Sequence, residues 1–204
     1  MSYEVPGLQA DRRLWFAPGT NLLVSGASSE SESVLLDVVA EAPSDEPSVG
    51  ITMNRPADWV VSAFHDRGRD PEGTLGIVDA TGQGSSVDSG VLVERTGSPA
   101  DLTGISLEFA KLVKQFEGVG SGDRVRVGLA SISTLLMYSE VQTVFRFLHV
   151  FTSRIQSAGL FGVFALDPGM HDDRVVNTVR AVFEAEARIE DGSVELVGDG
   201  FREE

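Results

Sequence analysis

The chain has 204 residues, 42% of them apolar, which supports one folded domain with a substantial core and excludes disorder over the whole length. It contains no cysteine, excluding disulfides, thiolate catalysis and cysteine zinc sites, and no apolar run approaches the ~20 residues of a membrane span. Asp and Glu number 31 against 16 Lys and Arg, and the net charge of -15 disfavours binding to nucleic-acid phosphates.

Only Lys111 and Lys114 are lysines. Scarce lysine with abundant acid suggests a proteome adapted to molar salt, where the screening length shrinks to ~3 Å; an ordinary acidic protein is the alternative. The opening MSYEVPGLQADRRLWF lacks the basic-then-apolar layout of a signal segment, so the cytoplasm is the expected location. Residues 1–14 read as an N-terminal extension, 15–198 as the domain and 199–204 as an acidic tail.

Apolar runs and helical patterns then alternate along the chain. LLVSG (22–26) and VGITM (49–53) are expected strands, with a helix starting at Val34, VLLDVVAEA, between them. WVVSAF predicts a helix opened near Pro56, and TLGIVDA (74–80) a third strand. Residues 80–104, rich in Gly, Ser, Thr and Asp, form a long connection. ISLEFAKLVKQF (105–116) places Ile105, Phe109, Leu112, Val113 and Phe116 on one helical face. The turn residues GVGSGD introduce a fourth strand, RVRVGLA (124–130).

SEVQTVFRFLHVFTSRIQSAG is the clearest helix, with Val141, Val144, Phe145, Leu148, Phe151 and Ile155 at helical spacing and Gly159 as its stop. LFGVFALD (160–167) is a continuous apolar strand of the kind buried on both faces of a parallel sheet. DDRVVNTVRAVFEA (172–185) predicts a helix with acids in its first turn. EARIEDGSVELVG reads as a hairpin turning at Asp191-Gly192 in a type I′ turn, and GFREE as a frayed tail. The expected fold class is α/β, with a mostly parallel central sheet, helices on both faces and a C-terminal β-hairpin. No internal repeat is visible.

The stretch NLLVSGASSESES (21–33) has the layout of a phosphate-binding loop, strand then small-residue loop then helix. Against G-x-x-x-x-G-K-[ST], only Gly26 and Ser33 match; Ser31 replaces the second glycine and Glu32 the lysine. Two unit charges ~4 Å apart interact by about 4 kcal/mol at an effective dielectric near 20, so exchanging cation for anion costs phosphate affinity by orders of magnitude. Glu30 adds to the repulsion. The same carboxylates favour the positive end of a helix, so a capped helix without a ligand is the simpler reading.

Other constellations carry less. TGQGSSV (81–87) follows a strand but leads into no helix, and reads as a loop rather than a dinucleotide turn. MHDD (170–173), with Asp167 nearby, reads as a helix start after the Pro168-Gly169 turn, the alternative being a metal site. His65 and His149 lack ligand spacing, and there is no G-x-S-x-G elbow. Arg146 and Arg154 lie away from the long helix's apolar stripe, on a solvated face or a partner surface.

Two segments, NLLVSGASSESES and RVRVGLASISTLLMYSEVQTVFRFLHVFTSRIQSAGLFGVFALDPGMHDD, together with the strand spacing between them, carry a family resemblance over roughly residues 15–192. The chain resembles the KaiC branch of the RecA-like ATPases, in particular the shortened, degenerate KaiC-like proteins of haloarchaea. Position by position, Gly26 and Ser33 match that family's loop while Ser31 and Glu32 depart from it. Ala130 stands where the family's metal-binding aspartate belongs, Ser131 and Ser133 match its neighbours, and Met53, Asn54 and Arg55 offer no catalytic carboxylate after the second strand. The resemblance implies a RecA-like scaffold whose phosphate loop (Gly26, Ser31, Glu32, Ser33) is non-functional, with no catalytic residues, no metal and no cofactor. It further implies a regulatory or scaffold role through protein contacts, in signalling, cell-shape or motility control. The expected partner is a protein, such as an active KaiC-like relative or a signalling protein, in a homo- or hetero-oligomer. A nucleotide sensor or weak NTPase using an altered loop is the alternative.

Overall fold

The computed structural model describes residues 2–9, 12–84, 87, 90–120 and 124–203. Two antiparallel strands open the chain, β1 (Tyr3–Gln9) and β2 (Arg12–Phe16), and β3 (Asn21–Ser25) follows as a strand with every residue buried. From β3 the chain runs through α1 (Ser28–Ala40), β4 (Ser48–Thr52), α2 (Ala57–Asp66), β5 (Leu75–Asp79) and β6 (Leu92–Arg95). It then returns through α3 (Leu102–Gln115), β7 (Arg126–Leu129), α4 (Ile132–Tyr138), α5 (Val141–Ser157) and β8 (Phe161–Leu166). A 3-10 turn (Pro168–Met170), α6 (Asp173–Arg180), β9 (Ala185–Glu190), β10 (Ser193–Gly198) and β11 (Phe201–Glu203) complete it.

Eight strands form one sheet in the order β10-β9-β3-β8-β7-β4-β5-β6, parallel except for β10. This is the expected α/β class with its C-terminal hairpin. The apolar runs of β3, β5, β7 and β8 are buried throughout, because helices cover both faces of the sheet. One face packs α1, α2 and the N-terminal strands around Leu22, Val24, Ile77 and Val163; the other packs α3, α4, α5 and α6 around Leu23, Val127, Leu129 and Phe164. Asp191 and Gly192 both have positive φ, 50° and 74°, as a two-residue type I′ turn requires.

Several elements depart from the sequence reading. The first helix begins at Ser28 rather than Val34, since apolar periodicity appears only where α1 passes beneath the sheet. The long connection 80–104 contains β6, a short edge strand (LVER) whose charges and half-exposure leave no apolar run. Between β7 and the long helix the chain makes the separate helix α4. On α5, Phe147 joins Val144, Leu148, Phe151 and Ile155 in the core while Phe145 stays partly exposed. The helix expected over 172–185 stops at Arg180, because Ala185 and Ala187 are needed as the buried face of β9 beside β3. GFREE is not frayed: β11 pairs with β2, and the Phe201 ring lies 5.9 Å from Phe16. The extension and the tail thus meet in one three-stranded sheet, β1-β2-β11. Within the expected loops, Ser85, Ser86, Asp88, Ser89, Ser121, Gly122 and Asp123 lie outside the described residues.

Candidate functional site

Strand order locates the place to look. From β3 the chain crosses one face of the sheet by α1, and from its neighbour β8 it crosses the other face by α6. The carboxyl ends of β3 and β8 therefore flank a topological switch point, the position where open α/β sheets hold ligands. Both the 26–33 segment and Asp167 lie there.

The four residues singled out in the loop do not converge. Gly26 is explained by close packing: a Cβ built there would sit 2.8 Å from Ile189 Cβ on β9. Ser31 is buried in the first turns of α1, where its hydroxyl donates to the Ser28 carbonyl (3.3 Å). Glu32 accepts from Asn54 Nδ2 at 2.6 Å. Ser33 accepts at Oγ from Arg67 Nη2 (3.3 Å), whose Nε also pairs with Asp37 (2.7 Å). Each side chain turns to a different protein partner.

A carboxylate holds the helix start itself. Asp167 Oδ2 accepts from the Ser28 backbone N–H at 2.8 Å and from the Ser28 hydroxyl at 2.6 Å. Its other oxygen accepts from Gly169 N (2.9 Å), so one side chain fixes α1 and the 3-10 turn together. The positive end of α1, with its free N–H groups, is where a phosphate would be attracted, and an internal anion sits on it. The crevice lined by Ser28, Ser31, Glu32, Ser131, Ala165 and Asp167 does not admit a water-sized sphere. The sequence reading placed Asp167 only beside a metal alternative. The signal for its actual part is an acid directly after an apolar strand, followed by Pro-Gly.

The β7 end carries the second group of family positions. Ala130 supplies no ligand atom. Ser131 adopts a left-handed conformation (φ 77°, ψ 82°), rare for a residue with a Cβ and costing roughly 1–3 kcal/mol. It is held there by Thr134, whose backbone N–H (3.0 Å) and hydroxyl (2.8 Å) both donate to Ser131 Oγ. Ser133 Oγ accepts from Asp167 N at 3.1 Å and so ties the β7 and β8 ends together. Asp79, at the end of β5, repeats the device for α2: one oxygen accepts from Ala57 N (3.1 Å), the other from the Thr81 hydroxyl (2.6 Å).

Between α1 and α2 lies a narrow apolar slot of about 20 Å³, lined by Leu35, Leu36, Val39, Ile51, Val60 and Phe64, roughly the room of one water. Its rim holds the Glu32–Asn54 contact and Arg55, which lies 5.2 Å over the Trp59 ring. Asp172 of the MHDD segment caps α6 by accepting from Val175 N at 2.9 Å. Burial lowers the proton affinity of His171, outweighing the opposite pull of Asp167 and Asp172. Among the described residues, no group of three or more His, Asp or Glu is placed to hold a metal ion. No helix among them is long and apolar enough to cross a membrane.

Comparison with known proteins gives this geometry a family. A sequence profile for a family of unknown function, DUF7504, matches residues 19–189. The chain belongs to that family. No curated protein matches the DUF7504 chain. Among solved structures it is similar to the PH0250 protein of Pyrococcus horikoshii, with TM-score 0.62 and 13% identity over 89% of this chain and 87% of that one. It is also similar to the KaiC-like protein PH0186 of the same organism, with TM-score 0.61 and 15% identity over 89% and 76%. A third similar structure is the uncharacterized protein PH0321 of that organism, in complex with an unknown peptide, with TM-score 0.61 and 16% identity over 89% and 84%. At these identities the likeness is one of fold: the DUF7504 domain shares its α/β fold with these proteins, one of them KaiC-like.

Proposed function

We propose that this DUF7504 protein is a non-catalytic RecA/KaiC-like domain acting through protein contacts as a regulator or scaffold. The observation that carries this reading is the Asp167 carboxylate bonded to Ser28 at the start of α1, an anion of the protein's own in the place a phosphate would occupy. Glu32 bonded to Asn54, and Ala130 after β7, support it, since neither the lysine nor the metal-binding acid of the KaiC-like ATPases the chain resembles is present. The acidic and lysine-poor composition supports a halophilic archaeal setting, and the resemblance to haloarchaeal KaiC-like proteins supports a role in signalling, cell-shape or motility control. The peptide named with PH0321 adds a lead toward polypeptide partners.

The second reading is a nucleotide sensor with an altered loop, and one observation favours it. Arg67 brings a guanidinium 3.3 Å from the Ser33 hydroxyl, a cation supplied from α2 instead of from the missing lysine. Calorimetric titration with ATP, ADP and GTP plus Mg²⁺, in about 2 M KCl, separates the two. The non-catalytic reading expects no binding at millimolar nucleotide. Saturable binding that is lost in Ser33→Ala and Arg67→Ala overturns it in favour of the sensor.

A further inference from the structure

β4 lies inside the sheet between β7 and β5, and Ser48, Val49, Ile51 and Thr52 are buried, yet Gly50 at its centre is partly exposed. A glycine weakens a central strand, and close packing does not account for this one: a Cβ built on Gly50 would meet only Val60 Cγ1, at 3.8 Å. Gly128, its register partner on β7, is different, because a Cβ there would lie 3.1 Å from both Leu35 and Val39. α1 therefore seats closely on β7, while over β4 the slot between α1 and α2 stays open. Gly50 is its floor, and Leu36, Val60 and Phe64 are among its walls. Apolar space of this kind holds water poorly and takes up small apolar groups.

The mouth of the slot, at the carboxyl end of β4, carries both charges. Arg55 lies 5.2 Å over the Trp59 ring, and its guanidinium has no hydrogen bond or ion pair among the described residues. An aromatic face holds a guanidinium in place and leaves its edge N–H groups for a carboxylate, which they can bind two at a time. Glu32 uses Oε1 for Asn54 Nδ2, and its Oε2 accepts no hydrogen bond among the described residues. A simple anion at this mouth would meet Glu32, and a simple cation would meet Arg55. A molecule that carries both charges and a short apolar group on one carbon matches all three features. We propose that the slot binds a small apolar α-amino acid, of alanine to valine size, with its side chain over Gly50, its carboxylate on Arg55 and its ammonium on Glu32. An aromatic side chain exceeds a slot of about 20 Å³. This site is separate from the Asp167 contact at the start of α1: nucleotide titration probes one and amino-acid titration the other, so either can fail without the other.

The experiment is an amide-resolved NMR titration of the full chain in about 0.3 M KCl with L-alanine, L-valine, L-phenylalanine, isobutyrate and N-acetyl-L-valine. It is run on wild type, Gly50→Ala, Arg55→Gln and Glu32→Gln, with thermal melts to verify that each variant is folded; Gly50→Ala has room for its Cβ. Alanine or valine should shift the amides of Gly50, Asn54 and Arg55 and the Trp59 indole, saturating by about 10 mM, and the other three compounds should bind roughly tenfold more weakly or worse. Each variant should lose roughly tenfold in affinity for valine, Gly50→Ala by filling the floor and the other two by removing one charged partner. Absence of saturable shifts in wild type overturns the proposal. Isobutyrate or N-acetyl-L-valine binding as tightly as valine shows that the ammonium is not read, and overturns it in favour of a carboxylate alone, such as the C-terminus of a polypeptide. Phenylalanine binding as tightly as valine, or affinity unchanged in Gly50→Ala, places the ligand outside the slot and overturns it too.

Discussion

The two ends of α1 solve one problem in opposite environments. At its N-terminus the free N–H groups meet Asp167, near solvent, among small hydroxyl side chains. At its C-terminus the free carbonyls meet arginines deep in the protein: Arg126 donates to Val38 O (2.7 Å), and Arg69 Nη1 to Val39, Ala40 and Ala42 O (3.4, 3.3 and 3.2 Å). Arg126 Nε pairs at 2.5 Å with Glu46, both side chains fully buried, while Arg124 lies 2.9 Å from the second Glu46 oxygen. Both ends carry the charge sign the helix dipole favours. The buried end also reaches Glu4 O through Arg126 and so anchors the N-terminal sheet. The buried charges thus gather at the amino ends of β4 and β7, at the opposite end of the sheet from Asp167.

Breaking the buried end should have the largest effect. Arg126→Met leaves Glu46 buried with half its compensation and should cost about 3–5 kcal/mol, read by denaturant unfolding. Gly26→Ala should cost about 1–3 kcal/mol through its clash with Ile189, and should cost less when introduced into an Ile189→Ala background than into wild type. A cost that is the same in both backgrounds would mean that Ile189 is not what requires glycine at position 26. Asp167→Ala should cost about 1–2 kcal/mol as the loss of a helix cap. It should also make the melting temperature rise with added phosphate, which wild type should not show.

The smallest effect is a pH dependence near the start of β9. Burial alone would raise the Glu186 carboxyl pKa, but hydrogen bonds from Ser25, Arg180 and Arg188 outweigh it and hold the group below its ordinary 4.5. A carboxyl lowered in the folded state contributes stability above that ordinary value and loses it as pH falls through the folded value. Unfolding followed downward from pH 5 should therefore show a shallower loss in Glu186→Gln than in wild type.

Much of the fold was legible in the sequence because burial on both faces forces continuous apolar strands, and β3, β5, β7 and β8 all show them. Elements whose stability comes from a neighbour were missed. The LVER edge strand exists because β5 offers hydrogen bonds, and the tail strand because β2 does. At the site, the presence of Glu32 where a phosphate-loop pattern calls for lysine was plain from residue types alone. The Asp167–Ser28 bond joins positions 139 apart in sequence, so the local signal at Asp167, an acid between an apolar strand and Pro-Gly, does not name its partner.

The sequence by itself determined the fold class, the strands that fill the sheet and the departures from a phosphate loop, because all three follow from residue type and short-range period. Only the tertiary structure decided which side chain holds the start of α1 and where the buried charges stand. Those depend on which strand ends the topology brings side by side, and parallel neighbours come from distant parts of the chain.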